Sequence, residues 1–410
     1  MDITMDTVMD IIWKKRRKDK VIQGNKKCVE SMRKVDIIEK FSPRHPAVAG
    51  RSVKLMADLL YANGLDIHTF SIDATYKGQI AKRIELPYRV TELKSIYNGS
   101  NKMFRLVVSL IDGFRLIFSS WKNADADVRI ILTNPSLINF WAILFKPFSR
   151  SRWIFWTMDL YPDAFCSAGL VKTENLVFRT IRHFIYCHTP DFMIALGEQQ
   201  YAYLKSKYGK EIPHTILPAG VCSVRQVQHI PWWKEKYKDK IIMCYAGNLG
   251  EAHDDQFLLR LIELLDPQKF IMLLAVYGAK AQNVLDKVKL KVGVVLTDHV
   301  ELEFVDINVA SLLSAWDHVC VPSKVVSAIC SGTAVLYNAS ERSEGYCMFP
   351  DAIWLVRESD DYDLVIRKFY QSVDKDAINK KKQAALAYAC QLNVMQEKAF
   401  RDIIEYCKNI

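Results

Sequence analysis

Ile241-Ile242-Met243-Cys244-Tyr245-Ala246-Gly247-Asn248-Leu249-Gly250 is an apolar run ending in a Gly-x-x-Gly turn, and residues 255–265 after it carry helical apolar spacing. Strand, glycine turn and helix together are the opening unit of a parallel α/β sheet. Glycines at such a junction let the backbone approach a ligand closely and leave helix N–H groups for phosphate. A tight turn without any ligand would use the same residues.

Outward from this unit the alternation continues. Downstream we read strands at 270–276, 300–303, 318–321, 334–337 and 352–356, and helices at 280–291, 309–315, from Lys324 onward, and 380–409. Upstream, 35–40 reads as a strand, 42–50 as a Pro/Gly loop, and 51–63 as an amphipathic helix with Val53, Met56, Leu59 and Leu60 on one face. A strand at 66–72 follows, with apolar runs at 128–132, 152–158, 192–196 and 214–217. Residues 222–237 break the rhythm with polar residues, a Pro and two Trp, as a linker would. The expected fold is α/β, with two Rossmann-like doubly wound domains facing a central cleft. The expected division is a basic extension (1–34), a first Rossmann-like domain (35–221), the linker (222–237), a second Rossmann-like domain (238–378) and a C-terminal helical segment (379–410) packing back on the first domain.

The 410-residue length suits two domains of roughly 150–200 residues each. The net charge of +10 is uneven: residues 1–150 hold 26 Lys and Arg against 15 Asp and Glu, and the remainder 30 against 31. The basic first third, with its run Lys14-Lys15-Arg16-Arg17-Lys18, suits an anionic partner such as a membrane surface. Nucleic acid would call for basic residues interleaved with stacking aromatics along a groove, and that pattern is missing. Ten cysteines without Cys-x-x-Cys or His-rich spacing, several inside apolar runs, read as free thiols in a reducing compartment. Three Asp interrupt residues 1–12, so no signal peptide is read, and no stretch has the ~20 apolar residues of a spanning helix. The expected localisation is cytoplasmic, peripheral on the inner face of the cell membrane.

Two further motifs carry chemistry. Cys320-Val321-Pro322-Ser323-Lys324 ends an apolar run and opens a helix leading to Ser331-Gly332-Thr333. A capping hydroxyl, free backbone donors and a positive charge meet there, as at a diphosphate site. An N-cap beside a solvated Lys is the plainer alternative. Thr157-Met158-Asp159-Leu160-Tyr161-Pro162-Asp163 places a carboxylate at a strand end, where it could take a proton from a hydroxyl or simply cap a turn. Asp125-Ala126-Asp127 has metal-motif spacing but precedes a strand away from the donor pocket, so no metal site is expected.

Taken in order, these pieces resemble the family-4 glycosyltransferases, whose fold is GT-B. The nearest branch is the bacterial capsule and O-antigen polysaccharide enzymes of the N-acetylfucosaminyltransferase type. The resemblance spans roughly residues 36–400. It takes in Ala49-Gly50, Thr133-Asn134-Pro135, Asp159-Leu160-Tyr161-Pro162, Ile194-Ala195-Leu196-Gly197-Glu198, Leu217-Pro218-Ala219-Gly220, Gly247–Gly250, Tyr277-Gly278 and Val321–Lys324. It implies transfer of a sugar from a nucleotide diphosphate sugar, with UDP favoured, to a lipid-linked saccharide, retaining and without a metal or cofactor. Asp159 and Lys324 would be catalytic. Gly247, Asn248, Gly250, Gly278, Pro322, Ser323, Lys324, Val325 and Ser327 would bind the donor, and His45, Gly50, Arg51 and Asp163 would face the acceptor. The Glu-x7-Glu of many members is replaced by Val319 and Ser327, and Asn248 stands where an Arg often clamps the diphosphate. A weakened or inactive sugar-nucleotide-binding homologue, or a GT-B nucleotide-sugar 2-epimerase, are the alternatives. Residues 101–122 combine apolar residues with basic flanks, as a lipid-interface helix or a buried helix would.

Overall fold

The computed structural model describes residues 32–73, 84–97, 102–122, 125–221 and 229–410. The basic run at 14–18 and most of the extension read at 1–34 lie outside them, as does the first half of the linker. The first domain contains strands β1 (Lys34–Phe41), β2 (Asp66–Asp73), β3 (Arg89–Lys94), β4 (Val128–Ile131), β5 (Arg152–Trp156), β6 (Phe192–Ala195) and β7 (His214–Ile216). Its helices are α1 (Val48–Ala62), α2 (Lys102–Lys122), α3 (Ile138–Phe145), α4 (Asp163–Ser167), α5 (Leu176–Tyr186) and α6 (Glu198–Tyr208). The sheet is parallel, in the order β3-β2-β1-β4-β5-β6-β7.

Successive side chains of β1 point to opposite faces. Val35 and Ile37 pack with Val53, Met56 and Leu60 of α1, and Ile38 packs with Leu116 and Ile117 of α2. Helices therefore cover both faces.

After a short helix α7 (Trp232–Lys236), the second domain holds strands β8 (Ile241–Asn248), β9 (Phe270–Tyr277), β10 (Val294–Leu296), β11 (Ile307–Ser311), β12 (Ala334–Asn338) and β13 (Ile353–Val356). Its helices are α8 (Asp255–Glu263), α9 (Ala281–Val288), α10 (Ser323–Cys330), α11 (Glu344–Met348), α12 (Tyr362–Ser372) and α13 (Lys375–Lys408). This sheet is also parallel, in the order β10-β9-β8-β11-β12-β13. Both sheets reverse direction beside their first strand, at β1/β4 and β8/β11. Ligands of such sheets lie beyond the carboxyl ends at these switch points.

Three elements differ from the sequence reading. Residues 309–315, read as helix, belong to strand β11 followed by a single 3-10 turn at Ser314–Trp316. Ile307-Asn308-Val309-Ala310-Ser311 is buried along its whole length between β8 and β12. A strand buried on both faces shows no alternation, and its periodicity is easily taken for helix. The strand read at 300–303 is the approach to a 3-10 turn at Leu302–Phe304, and 318–321 is loop. Strands β3 and β10 and helix α12 were not read at all. Within the linker, Trp233 is buried in the second-domain core with Ile242, Cys244 and Ile271.

Helix α13 ties the domains together. Ile378, Ala385 and Leu392 pack into second-domain clusters, whereas Ala399, Phe400, Ile403 and Cys407 join Val35 and Leu60 in the first. Other contacts cross directly. The Leu160 amide donates to the Val319 carbonyl at 2.9 Å, and Ser167 Oγ donates to the Ala315 carbonyl at 2.6 Å. The buried Glu344 carboxylate accepts from the Gln200 amide at 3.0 Å, in the first turn of α6. That cross-domain cap needs Gly197, where any side chain would overlap Glu344.

Candidate functional site

The glycine turn forms as read, and its neighbours explain each glycine. Gly247 and Gly278 both hold φ of 115°, a region that strains other residues. A β-carbon on Gly247 would lie 3.4 Å from Lys324 Cε. One on Gly278 would overlap the Asn248 side chain, and one on Gly250 would come within 2.9 Å of Asn248 Nδ2. The Asn248 amide is therefore wedged between Gly250 and Gly278, and the Lys324 stem runs past Gly247.

Lys324 stands in the first turn of α10, partly exposed, with its ammonium directed at the end of β8. Nζ donates to Asn248 O at 2.6 Å and to Tyr245 Oη at 3.0 Å, and lies 3.2 Å from His253 Nε2. It also sits 4.4 Å from the centre of the Tyr245 ring. None of these partners is a carboxylate. Desolvation lowers its pKa to about 7. No side chain caps α10, whose N-cap is Pro322. Helix α8 is different: Asp254 accepts from the amides of Gln256 and Phe257, so its N-terminal donors are already satisfied. Among the described residues at this site, α10 and also α9, which starts just after Gly278, begin without a side-chain cap, whereas α8 behind the glycine turn is capped.

The remaining residues divide by location. Val325 is wholly buried in the core behind α10. Ser323 packs against Gly220, whose φ is 90°, and Ser327 Oγ donates to the Gly220 carbonyl at 3.0 Å. Ser323 and Ser327 thus hold the end of the first domain against α10. Val319, at the other Glu position of the family pattern, is buried in a first-domain cluster with Leu160 and Met193.

On the facing side, Asp159 follows β5, and its amide donates to Thr133 Oγ1 at 3.0 Å. Its carboxyl is partly exposed, and burial raises its pKa to about 6. The Cys320 thiol is pushed well up by desolvation, then further up by Asp159 and down by Lys324. The bond from the Leu160 amide to the Val319 carbonyl seats the Asp159 end of the first domain against the second-domain segment that leads through Cys320 to Lys324.

His45 is buried, with Nδ1 accepting from the Ala47 amide at 3.1 Å and its ring 5.0 Å from Phe41. A side chain on Gly50 would collide with the carbonyls of His45 and Ser42, so this glycine seats the loop on α1. Arg51 is exposed. Asp163 is buried and accepts from Arg182 Nε at 2.8 Å, Tyr186 Oη at 2.6 Å and Tyr203 Oη at 2.9 Å. Those three donors tie α4 to α5 and α6. Asp125 pairs with Lys34, and Asp127 with Arg33, so this acidic pair anchors the start of β1.

Tyr245 and Cys320 stand within the quoted motifs but were given no role, and His253 was not picked out in the sequence. The one signal for His253 was its place three residues after Gly250, before the capping Asp254.

No family model matches the chain. One curated relative, a probable glycosyltransferase (WbjE) from Pseudomonas aeruginosa, is 23% identical over 155 residues, or 35% of this chain and 38% of that protein. The match thus spans well under half of the relative. Sucrose-phosphate synthase from Thermosynechococcus elongatus superposes with a TM-score of 0.70 at 12% identity, over 92% of this chain and all of that one. Anabaena HepE in complex with UDP-glucose gives a TM-score of 0.61 at 11% identity, over 90% of this chain and 99% of that one. The two facing parallel-sheet domains are the GT-B architecture.

Proposed function

We propose that this chain is a glycosyltransferase, moving a sugar from a nucleotide diphosphate sugar to a lipid-linked saccharide in cell-surface polysaccharide synthesis. The observation that carries the proposal is the Lys324 ammonium. It is fixed by neutral acceptors at a parallel-sheet switch point, with no carboxylate in contact among the described residues. A cation left uncompensated in a partly desolvated cleft is matched to a diphosphate. UDP is the favoured nucleotide, supported by the UDP-glucose complex of a protein of the same fold.

In the transfer, the acceptor hydroxyl oxygen bonds to the anomeric carbon and its proton passes to the Asp159 carboxylate. The bond from the anomeric carbon to the diphosphate oxygen breaks, leaving its electron pair on that oxygen. Lys324 and the uncapped end of α10 stabilise the charge so formed. No metal or cofactor is assigned a role, and the expected retention of configuration requires the hydroxyl to attack from the face that the diphosphate leaves.

A thermal-shift panel of UDP-, GDP-, ADP- and dTDP-sugars tests donor binding, because a ligand of the folded state raises the melting point by mass action. At a donor concentration of 100 Kd the stabilisation is about 2.7 kcal/mol, and one nucleotide is expected to stand out. A flat response to all four would end the proposal. A second reading, a donor-binding homologue with weak or no transfer, is favoured by Val319 and Ser327. One is buried in the interface and the other is engaged with Gly220, so neither offers the carboxylate of the wider family. A clear thermal shift without product would select it.

Helix α2 supports a membrane-side acceptor. Leu116 and Ile117 are buried against the sheet, while Phe104, Val107, Ile111 and Phe114 are exposed on the same helix. Phe148, whose carbonyl accepts from Trp121 Nε1 at the end of the helix, is 72% exposed; Lys122 follows Trp121, and Arg150 lies two residues after Phe148. The helix therefore has one apolar face in the core and another outward, an arrangement suited to a lipid interface. Among the described residues no helix is long and apolar enough to cross a membrane. Sedimentation with vesicles containing anionic lipid is expected to carry the protein down at low salt and less of it at high salt. Failure to sediment at low salt would remove the membrane contact.

A further inference from the structure

We infer that His253 is a positioning residue for the donor diphosphate, a neutral acceptor that fixes the Lys324 ammonium over the Gly247–Gly250 turn. The inference rests on the donor-site reading of Lys324 and assigns that site a part no sequence motif announced. Its geometry leaves one tautomer. His253 Nδ1 lies 2.5 Å from the Ser311 carbonyl, which can only accept, so Nδ1 carries the hydrogen. Nε2 then presents a lone pair, and its neighbour at 3.2 Å is an ammonium that can only donate.

The groups around the ring keep it neutral. Lys324 faces Nε2, and Lys280, the N-cap of α9, donates to the His253 carbonyl at 2.6 Å while pairing with Asp255. Desolvation and these two cations depress the imidazole to about 3. Asp254 does not offset them, because its carboxylate caps α8 and accepts from Tyr362 Oη at 2.7 Å.

Residue type explains the arrangement. A carboxylate at 253 would pair with Lys324 and cancel the charge meant for the ligand. A Lys or Arg would repel it, and an apolar side chain would leave the flexible lysine stem one anchor short. A neutral imidazole holds the ammonium without neutralising it. With Tyr245 Oη and Asn248 O it supplies the third of three acceptors for the three ammonium hydrogens. The other titratable groups are the Tyr245 hydroxyl in contact with Nζ and the Cys320 thiol, both held neutral by burial. The charge of Lys324 is therefore set mainly by desolvation, and ligand binding should weaken as pH rises through about 7, where the free ammonium loses its proton.

The test is calorimetric titration of the full chain with UDP at pH 6.5 and 8.5, with GDP, ADP and dTDP run in parallel. Wild type is expected to bind UDP more tightly at pH 6.5. His253→Leu is expected to weaken binding about tenfold at pH 6.5, the scale of losing one hydrogen bond to a charged group. Its decline with pH should also begin earlier, since an ammonium with fewer acceptors gives up its proton more readily. His253→Gln keeps an acceptor oxygen and is expected to remain within about threefold of wild type. Unchanged affinity and pH profile in His253→Leu would overturn the positioning role. So would equal losses in the Leu and Gln variants accompanied by equal falls in melting temperature, the mark of a merely structural residue. If wild type binds none of the four nucleotides, the donor-site reading fails and takes this inference with it, an outcome distinct from a variant that binds normally.

Discussion

Replacing Lys324 by Ala is expected to lower kcat/KM by a factor of about 10²–10³, the scale of removing one preorganised charge contact, or roughly 2.7–4 kcal/mol. The loss follows from location. Three neutral acceptors hold the ammonium where the departing diphosphate would develop charge, and no carboxylate among the described residues touches it. Because the stem also packs past Gly247, Ala removes contacts as well as charge. Lys324→Met separates the two, keeping the stem and losing the cation. Its rate should match the Ala variant, with a melting temperature close to wild type. Arg should rescue only in part, since a planar fork cannot reproduce the three-way seat of an ammonium. Steady-state rates near normal in the Met variant would remove Lys324 from the chemistry.

Asp159→Asn is expected to reduce kcat by about 10²–10⁴-fold, the range for losing a positioned general base. The substitution is nearly isosteric and the Asp159 amide keeps its bond to Thr133, so folding should be little changed. The pH profile gives the sharper test. Burial raises the Asp159 pKa to about 6, so the carboxylate is protonated and inactive below that pH. The falling limb belongs to Lys324, which loses its proton above about 7. For the free enzyme, kcat/KM should therefore trace a narrow bell, rising through about pH 6 and falling beyond about 7. With donor bound, the diphosphate beside Lys324 favours its charged form, so the alkaline limb of kcat should move upward. An Asn variant that retains the acid limb would assign that limb to another group and leave Asp159 without a catalytic part.

The sequence was most informative where a strand has a plain apolar run closed by glycine or proline. Strand β8 and its turn, the start of α10 and the strand before Asp159 all fall where they were read. It misled at β11, because Asn308 and Ser311 interrupt a strand buried on both faces and the following apolar spacing imitates a helix. The site divides the same way. The neighbourhood of Gly247, Asn248, Gly250, Gly278 and Lys324 was legible, since glycine at a strand end and lysine at a helix start have local chemical reasons. Ser327, Asp163 and His253 were not. Their hydrogen bonds run to Gly220, to Arg182, Tyr186 and Tyr203, and to Ser311, and the shortest of these separations is 19 residues.

What the sequence determined alone was the pair of parallel α/β domains and the glycine turn with its lysine, because hydrophobic periodicity and backbone permissiveness act over a few neighbouring residues. Only the tertiary structure decided that α8 is already capped while α10 is not, and that the Asp159 end of the first domain meets the segment leading to Lys324. It alone seated that lysine on three neutral acceptors. Desolvation and hydrogen-bond satisfaction depend on every group packed nearby, and the chain brings those groups together only when both domains have closed on each other.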